Sequence, residues 1–412
     1  MQVRIEKGRA VGSVMAPPSK SMAHRLLICA ALARGESLIH GISQSEDVMA
    51  TLDCLRALGA AVTLDGSDVR ISGLDMRRVR PSSHLFCRES GSTLRFLIPL
   101  AMLSGNNVML RGEPSLMARP MEVYRALFQK LGLTYLQDDE SIVVKGPLPA
   151  GEYAVVGNVS SQFISGLLFA LPLLDRDSRI RITPPIESLP YINLTIDAQR
   201  QFGVEIIWED EHTLLVRGGQ SYCAQEVFVE GDYSNAAFLD ALRLFGGEVR
   251  LAGLREESLQ GDKIYNRYFE MLCKGSPTLH IGDCPDLGPI LFSVAAAKHG
   301  GIFNGTKRLR IKESDRAAAM AQELKKFGTA VTVYEDTVVV YPADFHAPDG
   351  ILTGHNDHRI VMALSVLLTL TEGSIQGAEA VGKSYPQFFE TLRALGIPVF
   401  EEEEPTEGGT QI

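Results

Sequence analysis

A polar cluster standing directly before a long apolar stretch occurs six times in this 412-residue chain. No other feature limits the fold as much. The clusters are Ser19-Lys20-Ser21, Glu89-Ser90-Gly91-Ser92, Ser160-Ser161-Gln162, Asp232-Tyr233-Ser234, Pro285-Asp286-Leu287-Gly288 and Asn356-Asp357-His358-Arg359. Each apolar stretch reads as a helix leading into a strand. Five of those strands stop at a glycine (Gly41, Gly112, Gly253, Gly305, Gly377) and the third stops at Thr183. A second helix then closes at Gly59, Gly132, Gly203, Gly275, Gly328 or Gly396, so the repeats are spaced 73, 71, 72, 53 and 68 residues apart. A period of this size means one supersecondary unit used repeatedly.

The two helices of a unit differ in kind. Ser21 to Ala33 carries one certain charge, Arg25, and should be buried on nearly all sides. Ser161 to Leu174, Gly288 to Ala297 and His358 to Leu370 read alike. Asp47 to Leu58 and Met121 to Leu131 alternate charge with apolar residues at helical spacing and should cover the outside. After the closing glycine, Val62-Thr63-Leu64 and Val69-Arg70-Ile71 alternate around Asp65-Gly66 as a hairpin. The expected unit is helix, strand, helix, strand, strand. The sixth lacks its final strand, which Gln2-Val3-Arg4-Ile5 could supply. Three units per domain then gives residues 15–230 as one domain and 1–14 plus 231–400 as a discontinuous second, with 401–412 a disordered acidic tail. A continuous six-unit solenoid is the alternative.

Helix starts carry partial positive charge on unpaired N–H groups. Serines there usually cap the helix, which suffices for Ser19, Ser92, Ser160 and Ser234 taken singly. Lys20, Arg25, Arg95, His358 and Arg359 do not fit that account, because cations at a helix N-terminus oppose the macrodipole. A bound anion would resolve the conflict. Further basic residues, Arg119, Lys307 to Arg316 and Lys383, precede second helices at matching places in the repeat. Asp286 and Glu313 are the carboxylates among them, either ion-pair partners or general bases.

The bulk numbers exclude several classes. A net charge of −10 disfavours general affinity for nucleic acid or anionic membranes. The first residues lack a signal-peptide core, and no apolar run reaches about 18 residues. The six cysteines form no C-x-x-C pair and read as reduced thiols of a cytoplasmic protein. No metal constellation, Walker A loop, dinucleotide fingerprint or nucleophile elbow is present.

Taken in order, these motifs resemble the 5-enolpyruvylshikimate-3-phosphate (EPSP) synthase family over nearly the full chain. The carriers are Pro18-Ser19-Lys20-Ser21 with Arg25, Glu89-Ser90-Gly91-Ser92-Thr93 with Arg95, and Gly112-Glu113-Pro114 to Arg119-Pro120. Ser160-Ser161-Gln162-Phe163, Ser188 with Tyr191, Pro285-Asp286, Lys312 to Arg316, Asn356 to Arg359 and Lys383 continue it. The resemblance implies an α/β enolpyruvyl-transferase fold of two domains. Each would hold three βαβαββ-type units, the buried helices pointing their N-termini at an interdomain cleft. It implies transfer of enolpyruvyl from phosphoenolpyruvate to shikimate 3-phosphate, with no cofactor and no metal, by an expected monomer.

By the same resemblance Ser160, Ser161, Ser188 and Lys312 would hold the shikimate phosphate. Ser21, Arg25, Gln162, Tyr191 and Asp286 would orient its ring. Arg119, Arg316, Arg359, Lys383 and the Gly91 backbone would hold phosphoenolpyruvate, with Gln162 beside it and Lys20 shared by both substrates. Asp286 is the candidate base; Glu313, with Lys20, the candidate proton donor to carbon. Glu89, Ser92, Phe96 and Arg308 depart from the family pattern. Gly91 leaves room for glyphosate, so sensitivity is expected. The sibling transferase acting on UDP-N-acetylglucosamine carries a cysteine in the loop before Ala-Arg-Pro; Gly112 to Pro120 has none. RNA 3′-phosphate cyclisation, which uses a related repeat, leaves the Lys20 and Lys312 motifs unexplained.

Overall fold

A computed structural model describes residues 1–79 and 83–402. The chain forms two compact units, one of Pro18–Asp232 with Arg255–Gly261, the other of Met1–Pro17, Tyr233–Leu254 and the chain from Asp262 onward. Residues 255–261, expected in the discontinuous domain, therefore belong with the other unit. Gln260 explains the difference: its amide donates to Glu230 Oε1 at 2.9 Å and to the Gly231 carbonyl at 2.8 Å.

In the Pro18–Asp232 unit one sheet pattern occurs three times. A strand that leads the buried helix in repeats two and three, and that Glu226–Phe228 supplies in repeat one, pairs in parallel with the strand after that helix, and a hairpin completes the sheet antiparallel. The second repeat shows it plainly: Ser83–Phe86 beside Asn107–Arg111, then Ser141–Lys145, then Thr134–Gln137 at the edge. The other unit has two such sheets. In one of them Gln2–Glu6 lies between Glu372–Gln376 and Val399–Glu402, antiparallel to both, with Val3 opposite Ile375 and Ile5 opposite Val399. Val399–Glu402 is thus a strand, and the tail expected from 401 loses its first two residues to it; residues 403–412 lie outside the described chain.

The fourth repeat breaks the expected pattern. After helix Tyr265–Lys274 no hairpin follows, and Thr278–His280 already serves as the leading strand of repeat five. Its strand Glu248–Ala252 pairs with Val11–Met15 instead. The 53-residue spacing leaves no chain for a hairpin. Gly275 differs too: its φ of 168° is extended, whereas Gly59, Gly132, Gly203, Gly328 and Gly396 close their helices at positive φ between 69° and 114°. A left-handed residue there ends a helix at little cost only as glycine.

The buried helices form the cores, each unit having its own. Each buried leucine, isoleucine or phenylalanine stabilises by about 1.5–3 kcal/mol. Helix Lys20–Leu32 is buried except at Lys20 and Ser21, Gly91–Ala101 except at Ser92, and Ser161–Ala170 except at Gln162. The gaps in burial coincide with the polar helix starts. Cys29, Cys54, Cys87 and Cys284 are buried; Cys223 and Cys273 are exposed; all are free thiols. Among the described residues no helix is long and apolar enough to cross a membrane.

One edge strand carries a pH-dependent tie. Glu226–Phe228 adds in parallel to Glu36–His40, and His40 stands between Asp68 Oδ2 at 2.8 Å and Glu226 Oε1 at 3.0 Å, stacked on Phe228. Hydrogen bonds to Glu226 and Asp68 raise its pKa above the usual value. A raised folded pKa gives stabilisation that is complete below the unfolded value of about 6.5 and is lost as pH rises through the folded one. Hydrogen-exchange protection of residues 226–228 is expected to fall across that window, and the dependence to vanish in His40→Gln. Equal pH dependence in both proteins would show that the ring does not hold the strand.

Candidate active site

In the Pro18–Asp232 unit the first three helix starts bring the candidates into two groups. Ser19 caps helix Lys20–Leu32, accepting from the Met22 N–H, and Asp232 accepts from the Lys20 N–H at 3.1 Å. Lys20 Nζ is 2.7 Å from Asp47 Oδ2, with both side chains mostly buried. Arg25, one turn on, donates to Thr195 Oγ1, the Ser21 carbonyl and the Tyr191 carbonyl at 2.8, 2.6 and 3.0 Å. Its guanidinium lies over Phe96, and burial lowers its pKa to about 10, so it stays charged at neutral pH. Arg25, Ser21 and Tyr191 are therefore one connected group.

The second group surrounds Gly91. A Cβ there would lie 3.0 Å from Arg119 Nη1, 3.2 Å from Arg95 Nη1 and 3.6 Å from Gln162 Oε1. Arg95 Nη1 donates to Gln162 Oε1 at 2.7 Å, and Gln162 Nε2 donates to Ser92 Oγ at 2.9 Å. Ser92 is thus tied into the network despite departing from the family pattern. Glu89 accepts from Ser115 Oγ, which joins its loop to the one leading to Arg119. Ser160 caps helix Ser161–Ala170. Ser188 sits at φ 57°, a left-handed conformation unfavourable for a non-glycine and typical of functional loops. The Gly157 N–H donates to the Thr183 carbonyl and the Glu187 N–H to the Gly157 carbonyl, joining the loops that precede Ser160 and Ser188.

The other unit assembles charge around Arg316. Its guanidinium, 1% exposed, donates to Asp357 Oδ2 at 2.8 Å, Asp286 Oδ1 at 2.6 Å, Glu313 Oε2 at 2.7 Å and Asp357 Oδ1 at 3.3 Å. Lys312 Nζ is 3.1 Å from Asp286 Oδ1. Burial alone would raise the Asp286 pKa, but Lys312, Arg316 and Arg359 outweigh it and hold the carboxyl well below its usual range. Burial lowers the Lys312 pKa, and Arg316 and Arg308 add to this against the opposing pull of Asp286. Arg308, a departure from the family pattern, therefore acts on Lys312 through charge.

Arg359 and Lys383 are buried cations held by amide oxygens. Arg359 Nη1 donates to Asn235 Oδ1 at 2.8 Å and the guanidinium lies over Phe238. Among the described residues no carboxylate bonds it, and Nε has no hydrogen-bond acceptor. Lys383 Nζ donates to the Asn356 carbonyl at 2.6 Å and Asn356 Oδ1 at 2.8 Å. His355 and Asn356 are both left-handed, φ 50° and 52°, directly before Asp357, which caps helix His358–Leu368.

Sequence reasoning missed Asp47 and Asn235. Asp47 belongs to a helix expected to face outward, yet it is buried against Lys20. Asn235 follows the fourth polar start, which carries no cation and reads as structural or hinge-related. A lone asparagine opening an apolar helix was the available signal.

A family model for EPSP synthase (3-phosphoshikimate 1-carboxyvinyltransferase) matches residues 5–392. The 3-phosphoshikimate 1-carboxyvinyltransferase of Clostridium perfringens (strain 13 / Type A) is 39% identical over 425 residues, covering 97% of this chain and 100% of the relative. That of Clostridium kluyveri is 39% identical over 422 residues, covering 97% and 98%. Among solved structures, EPSP synthase from Acinetobacter baumannii superposes with a TM-score of 0.78 at 23% identity, covering 97% of this chain and 100% of that one. The enolpyruvyl transferase NikO from Streptomyces tendae gives 0.77 at 15% identity, covering 98% and 99%. The fold is thus the α/β fold of enolpyruvyl transferases, and the chain belongs to the EPSP synthase family.

Proposed function

We propose that the chain moves the enolpyruvyl group of phosphoenolpyruvate to the 5-hydroxyl of shikimate 3-phosphate and releases phosphate, without metal or cofactor, as a cytoplasmic monomer. The observation that carries the residue assignment is Arg359. A buried guanidinium bonded by a neutral amide is costly unless an anion joins it. With Lys383, Arg119, Lys20 and the Gly91 amide it answers the phosphate and carboxylate of phosphoenolpyruvate. Ser160, Ser161, Ser188 and Lys312 take the shikimate phosphate. Arg25, Ser21, Tyr191 and Gln162 take its carboxylate and hydroxyls. Arg316 acts chiefly by fixing the acids around it, since four of its hydrogen bonds go to carboxylates.

The chemistry is addition followed by elimination. The 5-oxygen bonds to C2 of phosphoenolpyruvate, Asp286 takes the hydroxyl proton, and Glu313 with Lys20 delivers a proton to C3. The bond from C2 to the phosphate oxygen then breaks, C3 returns a proton to Glu313 with Lys20 as the double bond re-forms, and phosphate leaves. Asp286 is ionised at neutral pH because of Lys312, Arg316 and Arg359, so it can accept as the C–O bond forms. The cations stabilise charge on the departing phosphate.

Phosphate release from phosphoenolpyruvate, measured with and without shikimate 3-phosphate, tests the activity; release that ignores the acceptor defeats it. Asp286→Asn should cut turnover by about 10² or more while both substrates still bind. Near-normal turnover would remove Asp286 as the base and leave the overall reaction standing.

A further inference from the structure

We propose that His24 is a positioning residue for phosphoenolpyruvate, acting through a one-way chain of buried hydroxyls that ends at the helix start bearing Gly91. His24 Nδ1 is 2.7 Å from Thr51 Oγ1, on helix Glu46–Leu58. Thr51 Oγ1 is 2.7 Å from Thr93 Oγ1, and Thr93 Oγ1 donates to Ser90 Oγ at 2.7 Å. None of the four residues is more than 1% exposed.

Counting hydrogens gives the chain its direction. A hydroxyl has one proton to donate. Thr93 uses its proton on Ser90, so toward Thr51 it accepts. Thr51 then donates to Thr93 and accepts from His24, which places the imidazole proton on Nδ1. The other nitrogen, Nε2, is buried with no acceptor among the described residues, so a proton there would be unpaired. Burial, with Lys20 and Arg25 nearby, holds the ring well below its usual pKa and hence neutral.

At the far end Ser90 Oγ accepts from both the Thr93 hydroxyl and the Thr93 N–H, the second at 3.2 Å. This double acceptance fixes the Ser90 rotamer and the first turn of helix Gly91–Ala101. That turn thereby sets how closely the Gly91 backbone approaches Arg119 and Arg95, whose Nη1 atoms would lie 3.0 and 3.2 Å from a Cβ at this position. Reversing the chain would make Ser90 the donor to Thr93, leave Ser90 Oγ accepting from the Thr93 N–H alone, and put the imidazole proton on the unpartnered Nε2. Because it links the first helix to the second helix start, His24 reaches the phosphoenolpyruvate group without touching it. The inference rests on the reading of Gly91 as a phosphoenolpyruvate contact.

Steady-state constants for both substrates in wild type, His24→Leu, His24→Asn and Gly91→Ala test it. His24→Leu should raise KM for phosphoenolpyruvate about ten-fold with KM for shikimate 3-phosphate unchanged. His24→Asn keeps an N–H where Nδ1 stood and should restore the wild-type value. An unchanged constant in His24→Leu, or no rescue by asparagine, overturns the proposal. If Gly91→Ala leaves KM for phosphoenolpyruvate unchanged, the Gly91 assignment itself fails and the proposal with it. Should His24→Leu not fold, ring-¹⁵N NMR of the wild-type enzyme decides: a proton on Nδ1 is expected, and one on Nε2 overturns the chain's direction.

Discussion

Arg316→Leu should destabilise the unit it occupies by about 3–5 kcal/mol, the largest stability loss expected from any single change in the cluster. Removing the guanidinium leaves Asp286, Glu313 and Asp357 close together, and Asp357 is fully buried. Uncompensated buried carboxylates respond by binding protons in the folded state. Their folded pKa values then exceed the unfolded ones, so the variant gains stability as pH falls through the carboxylate range and loses it as pH rises. Urea unfolding at pH 7 and pH 5 should show a smaller deficit at the lower pH. A deficit below about 1 kcal/mol at pH 7 would mean that the three acids are solvated rather than held by Arg316.

Arg359→Met should do the opposite to stability while damaging binding far more. This arginine bonds an amide oxygen and lies over a phenylalanine face, with Asp286 acting on it through charge but not bonded to it, and methionine can fill the same apolar space. Replacing a poorly compensated buried charge by an apolar side chain is often neutral or stabilising. Affinity for phosphoenolpyruvate, measured with shikimate 3-phosphate present, should fall by about 10²–10³, the loss of a desolvated charge-assisted contact to an anion. Wild-type affinity in a folded variant would remove Arg359 from the binding set. A large stability loss would instead make it structural. The two arginines are thus separable: one is needed without ligand, the other with it.

Much of the fold was legible because repetition and backbone chemistry act locally. The closing glycines, the apolar helices and the helix starts all leave marks within a few residues of one another. Even the use of Gln2–Ile5 as a borrowed strand follows from counting strands in the sixth unit. The fourth repeat was not legible as a missing hairpin, because Thr278–His280 has the same strand character whether it closes one unit or opens the next. The excursion of residues 255–261 depends on Gln260 meeting Glu230 and Gly231, about 30 positions away, and no local pattern records that. For the site, the cations stood out because they contradict the helix dipole. Their partners did not: Lys20 meets Asp47, and Arg359 meets Asn235 from 124 residues away. Arg316 illustrates the limit: the resemblance gives it as a ligand contact, and its bonds to Asp286 and Asp357, 30 and 41 positions away, left no local mark.

The strand Gln2–Glu6 is made well before both neighbours in its sheet, Glu372–Gln376 and Val399–Glu402. Residues 18–232 can complete three sheets during synthesis once the chain has passed Phe228. The sheet built on Gln2–Glu6 cannot close until Val399–Glu402 has emerged, and its loop-closure entropy is correspondingly late and large. Until then a strand with Val3 and Ile5 destined for full burial stays unpaired on the growing chain. Chaperone dependence during translation should therefore fall on this half of the protein, and an N-terminal extension or early truncation should disturb it more than its sequence length suggests.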